Sequence, residues 1–535
     1  MTAAEAAAPA AVPAAAAAVR ADAAAGGSAA ARARATALAA VALAGLTAAL
    51  AATVTSGGTL GAVGPLRGWY PADAVLFALA IVLLRRVGDA RRTAALVLAG
   101  SVALALTGLL APPRTSDDAY RYLWDGRVQA AGTSPYAYAP TDPALAGLRA
   151  ADPALFPVAG SCTGWDLHRS GTICTHLNRP TVHTIYPPVA EVWFLGLYRA
   201  GRATGGHGVR TAQAGGALLA VLTTGALLLV LRRIRAPLHR AALWGWCPGV
   251  ALWAVNDAHV DTLGVLLMVC GLAAVRAGAG TPGTAGTAPT ARAASRRRGL
   301  LGGALLGAAT ATKLIPALAL PGAMAGVLRR GCRPTVRDLL VPAAALATFL
   351  LCYLPYVLAS GPGVIGYLPG YLQEEGYDQG NRFGLLTLLG LPGRLLPALA
   401  ALILLAAVLL VLRRGDPDRP WRGALQVTGT ALFLAAPGYP WYALLVVALV
   451  SLDGDWEWLG LPGAAAAIVV VGGGAQQAGY TAALCLLLAG TAVRTLLRTA
   501  RLDALTVSAP AALLPVPAPA AARAVPKPIR TGSSR

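Results

Sequence analysis

Charge is scarce in this 535-residue chain. Charged residues make up 13% of it, against roughly 25% in an average soluble domain. Hydrophobic residues reach 56%, and apolar runs recur from Ala37 to Val493, many near the length that crosses a bilayer. Together these exclude a string of soluble domains and predict a polytopic membrane protein. Lysine is nearly absent, present only at Lys313 and Lys527. No GxxxxGK[ST] loop occurs, which argues against a P-loop ATPase, and no CxxC spacing points to zinc. The net charge of +21 comes without an RNA- or DNA-binding motif, so no nucleic-acid partner is expected.

What is present is arginine, in short clusters between apolar runs, as the positive-inside rule predicts for cytoplasmic loops. Examples are Arg85/Arg86/Arg91/Arg92, Arg232/Arg233/Arg235/Arg240 and Arg413/Arg414/Arg419/Arg422. Placing both termini in the cytoplasm puts every cluster inside, provided that Tyr186–Ala200 lies flat as an interfacial helix. That segment is short, broken by Pro187–Pro188 and carries Glu191. The resulting expectation is an all-α cell-membrane protein of about 14 transmembrane helices. Residues 1–35 and 501–535, rich in Ala and Pro, are expected to be disordered cytoplasmic tails flanking a membrane domain over 36–500.

Two outer loops are too long for simple turns: about 112–209 and about 359–391. The first contains Cys162 and Cys174, which form a disulfide if the loop faces an oxidising compartment. Cys247, Cys270, Cys352, Cys485 and Cys332 read as structural thiols. Three polar breaks interrupt apolar segments on the same side: Asn256–Asp261, Thr310–Pro316 and Pro437–Tyr442. Irregular backbone at membrane depth must border water or protein, so the breaks predict the rim of an outward cavity.

The sharpest constellation is Ser116-Asp117-Asp118-Ala119-Tyr120-Arg121-Tyr122-Leu123-Trp124-Asp125-Gly126-Arg127. Adjacent carboxylates repel, which raises one pKa, and the one left ionised can take a proton from an attacking hydroxyl. Ser-Asp-Asp reads equally well as a helix N-cap. His259 and Asp261 sit in one break, where ionisable groups are expensive and therefore functional by default. Lys313 sits in another. A compact ammonium suits a phosphate oxygen as a point charge, and snorkelling to the interface is the simpler account. Arg210 and Arg382 are further candidates for gripping a phosphate. A divalent metal at His259 is possible, but nothing fixes a ligand set and none is assigned.

The run from Asp118 to Tyr136, then Thr-Ile-Tyr-Pro-Pro-Val-Ala at 184–190, Asn-Asp-Ala-His-Val-Asp at 256–261 and Ala-Thr-Lys at 311–313 resembles the GT-C superfamily of polytopic glycosyltransferases. Within it, the chain most resembles the bacterial polyprenol-phosphate-mannose-dependent mannosyltransferases. The resemblance covers roughly residues 36–500, and it implies interfacial helices in a long first catalytic loop. It implies an inverting enzyme that moves a sugar, mannose by the closer resemblance, from a polyprenyl-phosphate donor. The acceptor would be a hydroxyl of a cell-envelope glycan, glycolipid or protein on the extracytoplasmic face. By motif position it makes Asp118 the general base, with Asp117 as second candidate. Lys313, Arg210 and Arg382 would hold the donor phosphate. Tyr122, Trp124, Asp125, Arg127, Tyr186, His259 and Asp261 would line the substrate groove. The chain departs from the simplest pattern by two extra crossings before the loop. Two alternatives stay open: a lipid-linked-sugar transporter or flippase, and a glycan polymerase or ligase using a polyprenyl-diphosphate donor.

Overall fold

The computed structural model describes residues 11–158, 162–205, 208–277, 289–329, 336–380 and 382–507. The distal parts of both tails, Arg330, Arg333 and Cys332 lie outside the described residues. The chain divides into a large unit ending at Leu486 and a small one beginning at Leu487. The small unit holds the end of the last helix, which closes at Val507.

The fold is mostly helical, with a single antiparallel hairpin among the described residues, His168–Ser170 with Ile173–Thr175. The first helix runs from Ala11 to Thr55, so the tail expected to be disordered is helical from Ala11. The reason is alanine, the strongest helix former: a tract without amphipathic period still winds when nearly every residue favours the helix.

Among the described residues, seven helices are long and apolar enough to cross a bilayer. An eighth is gained if the pair Val250–Asn256 and Asp261–Arg276, bent by 113°, counts as one span. This falls short of about 14 crossings because half-length apolar pieces do not qualify. Leu444–Asp453 has 10 residues and Gly460–Val471 has 12, and at about 1.5 Å per residue neither reaches the roughly 30 Å hydrocarbon core.

Polar side chains stitch the membrane helices together. Ser101 and Thr224 hydroxyls meet at 2.7 Å. The indoles of Trp244 and Trp246 donate to the carbonyls of Ala220 and Val97. Thr53 donates to the buried Asp73 at 2.7 Å, tying the first two helices.

The first long loop is ordered around two helices, Asp118–Ala130 and Pro188–Thr204. The second begins at Pro188, with Pro187 extended before it, because proline's fixed φ and missing N–H suit a first helical position. At 17 residues it is not among the spanning candidates. Instead it packs on Asp118–Ala130 through Phe194, whose ring stacks on Tyr122 with centroids 4.3 Å apart. Gly126 permits the approach, since a Cβ there would collide with the Phe194 carbonyl.

A buried lattice fixes this helix pair. Arg121 Nε donates to both oxygens of Asp125, at 3.0 and 3.2 Å. Glu191 accepts from Thr184 at 2.8 Å and from Gln129 at 2.9 Å. Burial pushes the Glu191 carboxyl well above its ordinary value, and the neighbouring Asp125 adds to the rise. Tyr356 donates to Gln129 at 2.8 Å, anchoring the lattice to the helix Val336–Ser360. Farther out, Cys162 and Cys174 are joined as a disulfide, with Cα atoms 5.7 Å apart.

Candidate functional site

Two of the three polar breaks, Thr310–Pro316 and Pro437–Tyr442, and both long loops line one cavity of about 470 Å³. Its wall holds Asp117 and Asp118 at the start of one helix, and His168, Asn178 and Arg179 from the hairpin region. Lys313 comes from the second break, Tyr367 and Tyr371 from the second long loop, and Tyr439, Trp441 and Tyr442 from the third break.

The aspartates do not cap their helix. Asp117 occupies the N-cap position, yet its side chain makes no capping bond, and the Ser116 hydroxyl accepts from the Asp118 amide instead. The carboxylates are thereby left to other partners. Asn178 donates from one amide nitrogen to Asp117 at 2.6 Å and to Asp118 at 2.7 Å, holding two like charges side by side. Asp117 also accepts from His168 Nε2 at 2.6 Å, so both of its oxygens are engaged. Asp118 keeps Oδ2 free of a hydrogen bond at normal distance; the nearest base, His259 Nδ1, stands 3.6 Å away. Of the pair, Asp118 is the carboxylate with an oxygen available.

The first break backs the wall rather than lining it. Val250–Asn256 closes with π-type geometry and the chain turns into Asp261–Ala277. Asn256 donates to the carbonyls of Gly108, Ala111 and Pro112. Asp257 accepts from the Arg114 and Thr115 amides and from the Thr115 hydroxyl. This ties the break to the strand of chain that leads into the paired aspartates. His259 is buried, stacked on Trp441 at 3.7 Å and 3.4 Å from the Tyr122 hydroxyl. Lys313 lies 3.4 Å from Asp261, with its ammonium over the rings of Tyr186 at 5.0 Å and Tyr442 at 5.3 Å. A cation between two aromatic faces and one buried carboxylate is held firmly.

The structure thus brings together Asp117, Asp118, Tyr186 and Lys313 on the cavity wall. Tyr122, His259 and Asp261 form the layer directly behind it. The other expected site residues do not line it. Trp124 is buried against Phe156 in a separate cluster with Leu145 and Leu155. Asp125 is consumed by Arg121. Arg127 pairs with Asp152 at 2.8 Å. Arg210 is exposed and donates to the Leu109 carbonyl at 3.1 Å. Arg382 pairs with Glu375 at 2.8 Å beside a different, polar groove. Conversely, His168, Asn178 and Arg179 carry no recognisable motif; only their place in the disulfide-bearing loop pointed toward them. Among the described residues, no three His, Cys, Asp or Glu side chains gather as a metal-binding group.

The His168–Asp117 bond makes this wall pH-sensitive. Its hydrogen bond to Asp117 holds the His168 imidazole above the ordinary 6.5. A raised histidine stabilises fully below pH 6.5 and loses its contribution as pH climbs through the raised value. Hydrogen exchange of the hairpin 168–175 is therefore expected to quicken across that window in the wild type. In His168→Gln this step should be missing; an identical pH profile in the variant would refute the assignment.

Comparison with protein-family models, with curated proteins and with solved structures finds no match to this chain.

Proposed function

We propose that this chain is an integral-membrane glycosyltransferase that moves a sugar, mannose by the resemblance, from a polyprenyl-phosphate donor to a hydroxyl acceptor with inversion. The observation that carries the reading is a half-buried carboxylate with a free oxygen, Asp118, and an ammonium, Lys313, on the wall of one aromatic cavity. Tyr186, Trp441, Tyr442 and Tyr371 offer apolar faces and hydroxyls suited to a sugar ring.

In this reading Asp118 accepts the proton of the acceptor hydroxyl as its oxygen bonds to the anomeric carbon. The bond from that carbon to the phosphate oxygen breaks, and its electron pair leaves with the polyprenyl phosphate. Lys313 faces the developing charge, an electrostatic role that costs no reorganisation because the ammonium is already positioned. His259 and Tyr122, 3.4 Å apart, form the layer behind Asp118.

Arg179, His168 and His183 also line the cavity, which would suit a diphosphate and keeps the polymerase or ligase reading as the second choice. His168 is already engaged by Asp117, which leaves fewer groups for a second phosphate and favours the monophosphate donor.

Purified protein incubated with labelled polyprenyl-phosphate mannose and candidate glycan, lipid or peptide acceptors is expected to form a glycosidic bond. Transfer only from a diphosphate donor would select the second reading, and lipid movement without bond formation would select transport. The extracytoplasmic site and cytoplasmic termini belong to the same proposal. A reporter fused near residue 150 should report from outside the cytoplasm.

A further inference from the structure

Three of the residues lining the cavity are lysine or arginine: Arg121, Arg179 and Lys313. Arg121 is locked to Asp125 below the surface, and Lys313 faces the fully buried Asp261. Arg179 differs, because its partner Glu374 is 43% exposed and belongs to the other long loop. The contact is a two-pronged fork: Nε donates to Oε2 at 2.9 Å and Nη2 donates to Oε1 at 2.6 Å. A guanidinium makes the same planar, two-point contact with a phosphate. Glu374 therefore occupies the seat that an anionic head group would take.

The two partners are not equally fixed. Arg179 has a φ of 45°, a left-handed conformation that a residue with a Cβ adopts only under constraint. Its guanidinium also lies 6.0 Å from the centre of the Tyr371 ring. The preceding residue is Asn178, whose amide is bound to both aspartates. The fork is thus aimed by the same stretch of chain that holds the proton acceptor. Glu374, by contrast, ends the short helix Leu368–Glu374, and besides Arg179 it accepts one hydrogen bond, from Tyr367 at 3.2 Å. It also borders the neighbouring polar groove. When an anion arrives, the carboxylate can leave and the guanidinium can stay.

We infer that Arg179 is a phosphate-gripping residue held in reserve by Glu374, and that the head group of a polyprenyl monophosphate displaces Glu374 to bind it. The inference rests on the proposed use of a polyprenyl-phosphate donor and adds a residue and a switch between the two long loops. Glu374 is exposed, so its carboxylate regains water on leaving, and the arriving phosphate restores the same two-point contact to the guanidinium.

The test uses full-length protein in nanodiscs and two probes, a sugar-free labelled polyprenyl monophosphate and inorganic phosphate, measured by equilibrium binding. Glu374→Gln is expected to bind the lipid probe about two- to fivefold more tightly, because the competing charge is gone. Arg179→Gln should bind it about tenfold more weakly, and Arg179→Lys should fall between, keeping charge but losing the fork. The double variant should match Arg179→Gln, since the competitor matters only while the guanidinium is present. The same ranking with inorganic phosphate alone would assign the grip to phosphate itself, whereas a ranking seen only with the lipid probe would assign it to the lipid-borne head group; both support the inference. Unchanged or weaker binding in Glu374→Gln, or unchanged binding in Arg179→Gln and Arg179→Lys, overturns it. If the predicted ranking holds but no sugar is transferred, the glycosyltransferase reading fails and the anion seat stands. If sugar is transferred while the ranking is absent, the failure belongs to the anion seat alone.

Discussion

Asp118→Asn protein should fold, bind the polyprenyl monophosphate within about twofold of wild type and transfer sugar about 10³-fold more slowly, the middle of the range for removing a general base. The amide keeps the shape of the side chain and can still accept from Asn178, so only the capacity to take a proton is removed. Asp117→Asn should cost far less, because both oxygens of Asp117 are already engaged by His168 and Asn178. The contrast between the neighbours separates chemistry from packing. Turnover in Asp118→Asn comparable to wild type, measured with purified enzyme at saturating donor, would show that the proton goes elsewhere.

The second large effect concerns Lys313. Removing its charge as Lys313→Met leaves Asp261 fully buried, and neither carboxylate oxygen has a hydrogen-bond partner. Stranding a buried charge in this way costs about 3–5 kcal/mol, so a marked drop in melting temperature is expected. The double variant Lys313→Met with Asp261→Asn should recover most of that stability, because the stranded carboxylate is now a neutral amide. It should not recover transfer, since the ammonium that the proposed mechanism sets against the leaving phosphate is still missing. Full activity in a stable double variant would leave Lys313 with a packing role only.

These two residues were visible in the sequence for different reasons. Asp117 and Asp118 stood out as a rare acidic pair at a predicted membrane boundary, and Lys313 as a lysine in a chain that otherwise uses arginine. The three polar breaks were also legible, because apolar runs stop and restart around them, and the structure sets two of them on the cavity wall and the third behind it.

The residues expected from the remainder of the Asp118–Ala130 helix fell elsewhere for a geometric reason. At 3.6 residues per turn, Trp124 and Arg127 lie roughly 240° and 180° around the helix from Asp118. They face the packing side and the Asp152 side. Asp125 is near the face of Asp118 but about two turns farther along the axis, roughly 10 Å away. Nothing in local sequence could reveal that Arg210 and Arg382 have partners of their own, or that a hairpin about 50 residues downstream carries His168, Asn178 and Arg179 back to the aspartates. Such pairings depend on how distant segments fold together. The count of spanning helices, seven or eight among the described residues, was not legible because apolar composition alone does not fix the length of a helix.

The Asn256 side chain, which gathers three carbonyls, and Gln213, which donates to Ala111 and Asn256, give the base of the cavity something like a keystone. If Arg179 and Glu374 exchange partners as inferred, the moving part is that one contact, and the keystoned layer is the anvil on which it works. On the proposed reading, each cycle would turn on how Arg179 and Glu374 part, while the anvil keeps its form from one cycle to the next.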